Sequence, residues 1–61
     1  MIEFNSTLDA IIQWNPEHSA KIYKAFNNAL NGNNNISNEL GKYISKSEID
    51  RLNKEVIRLL S

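Results

Sequence analysis

Ser45-Lys46-Ser47-Glu48 limits the fold of this chain more than any other stretch. A serine followed three residues later by a glutamate can form a reciprocal box at a helix start. The hydroxyl accepts from the glutamate's backbone N–H, and the carboxylate accepts from the serine's. Ile44 stands just before the cap and Ile49 at the fourth helical position, the spacing of a hydrophobic staple. Two independent devices therefore start a helix at one place, and that helix is expected over 46–60. Asp50 with Lys54, Arg51 with Glu55 and Glu55 with Arg58 supply opposite-charge neighbours along it.

The rest of the chain is punctuated almost as clearly. Asn5 or Ser6 can cap a first helix over 6–14, Ser6 and Asp9 having the spacing of a shorter-armed box, with Leu8, Ile11 and Ile12 on one face. Pro16 pushes Asn15 out of the helical region and stops that helix at Trp14. The same residues open a second helix over 16–31: Asn15 as cap, Pro16 in the first position, Glu17 against the positive dipole end. Ile22, Phe26, Ala29 and Leu30 recur at helical spacing up to the Asn31-Gly32 stop. Asn33 to Asn35 form a loop, and Asn35 is expected to cap a third helix over 35–44 carrying Ile36, Leu40, Tyr43 and Ile44. Gly41 inside it costs about 1 kcal/mol against alanine and is expected to mark a close helix crossing. The expected fold class is therefore all-α, a compact bundle of four short helices forming one domain over 1–61.

A chain of 61 residues is near the lower limit for a self-sufficient core. With no cysteine and one histidine, neither a disulfide nor a structural zinc site is expected to support it. Regular helix packing and self-association remain. Zero net charge supplies no field for nucleic-acid phosphates. No apolar run approaches the roughly 20 residues of a membrane span, and no basic-then-apolar export signal opens the chain. A cytoplasmic location is expected. Asn, Ile and Lys make up 23 of the 61 residues, 10 of them Asn. AT-rich codons give that bias, as in phages and other mobile elements; it speaks of origin rather than role.

Helix 46–60 is wider in its apolar arc than a small bundle needs. Ile49, Leu52, Val56, Ile57, Leu59 and Leu60 spread over roughly 160°, against about 100° for a core-facing stripe. The surplus is expected to cover the first helix or another copy of the chain. Asn53 falls within the arc, either at the edge of the core or fixing the register of paired helices. Leu52, Asn53, Val56, Ile57 and Leu60 are thus the candidate partner-binding residues. Trp14, Tyr23 and Tyr43 join them as anchors, although the lone tryptophan of so small a domain belongs more often to the core.

Lys21 and Lys24, beside Asn27 and Asn28, give the second helix a modestly basic face that is either an anion or nucleotide contact or simply solvated. His18, at the rim of the apolar face, has no nucleophile or acid partner readable from sequence, and a packed neutral role is expected. No catalytic constellation, cofactor motif or metal-ligand spacing is found. A helix-turn-helix comparison fails, because Gly41 lies within the would-be first helix and the next begins with acids as freely as bases. The expected function is a small non-enzymatic interaction module of phage or mobile-element type. It would bind or inhibit a host or partner protein, on its own or as a homo-oligomer. The alternatives are a DNA-binding regulator using helix 46–60 and a nucleotide binder with its site between protomers.

Overall fold

The computed structural model describes residues 5–61. Its elements are α1 (Ser6–Trp14), a 3-10 turn (Pro16–His18), α2 (Ser19–Leu30), α3 (Ile36–Leu40) and α4 (Lys46–Leu60). The all-α fold is as expected, and the ends of α1 and α4 fall where the capping signals place them.

Both arms of the predicted box are made at α4. Glu48 N–H donates to Ser45 Oγ at 3.3 Å, and Ser45 N–H donates to Glu48 Oε1 at 3.1 Å. Ile44 and Ile49 are both buried beside it, as a staple requires. At α1 the cap is Asn5 rather than Ser6: its Oδ1 accepts from Leu8 N–H at 2.9 Å. α2 closes with a full Schellman arrangement. Asn33 N–H reaches Asn28 O and Gly32 N–H reaches Ala29 O, with Gly32 at φ 97°.

Two boundaries differ from expectation. Residues 16–18 form a separate 3-10 turn, because Asn15 spends its side chain elsewhere and leaves the second helix without a side-chain cap. Asn15 Nδ2 instead donates back to Ile11 O at 2.9 Å, closing α1. The third helix ends at Leu40, not at 44. There the N–H groups of Tyr43 and Ile44 both converge on Leu40 O, which tightens the chain into a turn. Gly41 sits in that turn and marks no helix crossing. A Cβ built on it would stand 2.6 Å from the carbonyl oxygen of Ser37, so its missing side chain lets the backbone pass its own preceding turn. Asn35 does not cap α3 with its side chain either; Asn34 Oδ1 accepts from Ile36 N–H, while Asn35 Oδ1 accepts from Asn38.

The helices enclose one core. α1 contributes Leu8 and Ile11, α2 gives Ile22, Ala25, Phe26 and Ala29, α3 gives Ile36 and Leu40, and Ile44, Ile49, Leu52 and Val56 complete it. α2 is the central member, packing against α3, α4 and α1. α1 and α4 run antiparallel, since the start of α1 is bonded to Glu55 and its end to Glu48. No helix among the described residues is long and apolar enough to cross a membrane.

Candidate functional site

The phase set by the Ser45–Glu48 box decides which side chains of α4 are available to a partner. At about 100° per residue, Ile49, Leu52 and Val56 share one stripe, and that stripe is the core. Leu52 is fully buried and Val56 is 2% exposed. These two expected partner contacts are therefore corrected to core residues: the bundle needs them, and nothing outside can reach them.

The neighbouring flank is different. Asn53, Ile57 and Leu60 lie within about 60° of one another on the helix surface. Asn53 is half-buried, as expected of a residue at the core's edge, whereas Ile57 is 65% and Leu60 58% exposed. The surplus apolar width thus resolves into an inward stripe and an exposed pair. Leu59 lies on the opposite flank, toward α1, and is also partly exposed.

α1 does not cover the exposed pair because polar bonds hold it on the other side of α4. Asn5 Nδ2 donates to Glu55 Oε1 at 3.0 Å, and Thr7 Oγ donates to Glu55 Oε2 at 3.4 Å. At the far end of α1, Asn15 Nδ2 donates to Glu48 Oε2 at 3.1 Å. Arg58 closes the Glu55 cluster, its Nε donating at 2.8 Å and its terminal nitrogen also bonded to Oε1. Of the three charge pairs expected on α4, only Glu55–Arg58 forms an ion pair among the described residues.

Hydrogen bonding by Arg58, then by Asn5, holds the Glu55 carboxyl below its ordinary value despite an opposing contribution from burial. A group with a lowered folded-state pKa adds stability above its unfolded value. That contribution disappears as pH falls through the lowered one. Thermal unfolding followed at stepwise lower pH should therefore show an acid loss that sets in within the ordinary glutamate range and is complete below the lowered value. The Glu55→Gln protein should show a smaller loss there; identical acid profiles would contradict this.

The remaining candidates do not join this flank. Trp14 is 82% exposed rather than buried in the core, because the proline-forced turn leaves it at the last position of α1, pointing off the bundle. Asn15–Glu48 places that end of α1 by the first turn of α4. Ile57 and Leu60 are nine and twelve residues farther along, some ~14–18 Å at 1.5 Å per residue. Trp14 and the α4 pair are thus separate features.

Tyr43 meets His18, ring centroids 4.6 Å apart and tilted by 47°, and Lys21 Nζ lies 4.9 Å from the Tyr43 centroid. The histidine that sequence left at a helix rim is thereby packed against an aromatic of α3's following turn, with Glu17 Oε1 3.7 Å from its Nε2. Lys21, Lys24, Glu39 and Tyr43 border a shallow α2–α3 groove of about 220 Å³. Tyr23 projects from the other side of α2 and is partly exposed.

A second groove, of about 510 Å³, lies between α1 and α4 and is bordered by Thr7, Arg51, Lys54, Glu55 and Arg58. Sequence reasoning missed it, since it depends on where α1 lands on α4. Among the described residues no three His, Asp or Glu side chains gather in a metal-holding group. Comparisons with protein-family models, curated proteins and solved structures gave no match.

Proposed function

We propose that this chain is a non-enzymatic interaction module that binds another protein through the outer flank of α4. The supporting observation is the exposed Ile57–Leu60 pair beside a stripe that is otherwise consumed by the core. Single exposed aliphatics are ordinary on protein surfaces. Adjacent ones on a domain this small forgo burial worth about 25 cal/mol per Å², and a partner's surface recovers it. Binding to a host protein by the product of an AT-rich mobile element is the setting that composition favours.

The alternatives fit less well. Tyr43, the aromatic best placed to stack on a nucleotide base, is engaged by His18 and Lys21. The start of α4, where a recognition helix would approach DNA, carries Glu48 with its carboxylate in the capping box.

A photo-cross-linking residue at position 57 or 60 tests the reading in producing cells. One discrete adduct should form from both sites and none from position 42, an exposed residue of the α3–α4 turn. Ile57→Asp should abolish the adduct from position 60 while leaving helical content unchanged. Equal labelling from 42 and 57, or no adduct from either flank position, would reject the flank as a binding surface.

A further inference from the structure

The α1–α4 groove lies on the face of α4 turned away from Ile57 and Leu60, and it gathers charges that neither the core nor the exposed pair uses. We propose that this groove binds a small phosphate monoester in its dianionic form.

Both arginines of the chain and one of its five lysines border this one groove. Arg51, Lys54 and Arg58 recur on α4 at spacings of three and four, which puts them within about 60° of one another around the helix. The α1 wall opposite is made by Ser6, Thr7 and Ala10, which bring two hydroxyls and no charge. Asn5 and Thr7 hold that wall against α4 by donating to Glu55.

Glu55 is the one carboxylate among the described residues that border the groove. Arg58 is paired with it, and the two charges cancel. Arg51 and Lys54 remain, neither in an ion pair among the described residues. The other acids of α4 do not neutralise them. Glu48 is bonded to Ser45 and Asn15, and Asp50 lies about 20° from Ile57 in helical phase, on the far flank.

Two uncancelled cations select the charge of the ligand. A carboxylate or a sulfate ester brings one negative charge, whereas a phosphate monoester near neutral pH brings about 1.5–2 and three acceptor oxygens. The planar fork of Arg51 suits two of those oxygens, and the ammonium of Lys54 serves a third as a point charge. A groove of about 510 Å³ is also within the range of roughly 300–1,000 Å³ for small-molecule sites. No aromatic side chain among the described residues borders it, so the phosphate itself, not a stacked base, carries recognition.

Amide NMR titration of the chain with glycerol phosphate makes the test, with glycerol sulfate as the monoanionic counterpart. Saturable shifts should appear over 6–10 and 51–58 and not around Lys42. The phosphate should bind about tenfold tighter than the sulfate at low salt, the gap narrowing as salt rises. Arg51→Gln with Lys54→Gln, both at exposed positions, should weaken the phosphate by at least about tenfold. An otherwise unchanged spectrum will show that this variant is folded. Lys42→Gln, the same kind of charge loss in the α3–α4 turn, should leave the affinity unaltered.

Equal affinity for the two esters would overturn the dianion assignment. Non-saturating shifts around every lysine, or an equal loss from Lys42→Gln, would overturn the groove as a site and leave only diffuse charge. A short duplex DNA shifting the same amides at far lower concentration would replace the small ester with a nucleic-acid backbone. Cross-linking from positions 57 and 60 probes the other face of α4, so failure here leaves the protein-binding flank standing.

Discussion

Phe26→Ala should leave the chain without a stable fold at room temperature. Phe26 has no exposed surface and is the largest fully buried side chain among the described residues, on the helix that packs against α1, α3 and α4. Truncating a buried phenylalanine costs about 3–5 kcal/mol through lost transfer energy and the cavity left behind. At about 0.05–0.15 kcal/mol per residue, a chain of this length has roughly 3–9 kcal/mol in total. The loss is thus comparable with the whole. Far-ultraviolet circular dichroism should show a midpoint lowered by on the order of 15–30 °C, or no cooperative transition at all. Phe26→Leu, which conserves more of the volume, should unfold cooperatively at an intermediate temperature. A Phe26→Ala protein melting within a few degrees of the parent would mean that α2 is not the centre of the core.

The second large effect is expected from Glu48→Ala. One carboxylate serves two elements: Oε1 accepts from Ser45 N–H and its hydroxyl, and Oε2 accepts from Asn15 Nδ2. Removing it unmakes half of the box that starts α4 and releases the end of α1. Loss of a cap costs about 0.5–2 kcal/mol, and hydrogen bonds to charged groups are worth about 1.5–3 kcal/mol before solvent exposure reduces them. A destabilisation of about 1–2 kcal/mol follows.

Its distribution is more telling than its size. Amide hydrogen exchange should accelerate in α1 and in the first turn of α4 more than in α2. Combined with Asn15→Ala, the two losses should fall short of their sum by at least about 0.5 kcal/mol. Additive losses would show that Asn15 and Glu48 act independently.

What sequence revealed and what it concealed follows from the range of the interactions involved. The Ser45–Glu48 box, the Asn31-Gly32 stop and the break at Pro16 are local devices, complete within a few residues, and the structure contains each of them. Asn15 misleads a reading of the sequence because two uses compete for one amide. Capping the next helix is local and predictable, whereas reaching Glu48, 33 residues away, depends on tertiary packing. Leu52 and Val56 read as partner contacts in the sequence for a related reason. Helical phase gives the angular width of the apolar arc, but which part of it faces inward is decided by where α2 and α3 pack. Ile57 and Leu60 remained available because α1, tied to Glu48 and Glu55, settles on the opposite flank. Gly41 carried a correct signal with the wrong cause: a Cβ has no room, but the obstacle is the chain's own Ser37 carbonyl.

Trp14 has one more consequence. The chain's single indole stands in water at the end of α1, and unfolding would leave it in water still. Its emission therefore says little about whether the core is intact. What can change its surroundings is a molecule arriving from outside, so this chain carries an intrinsic optical probe that is nearly blind to folding and sensitive to contact.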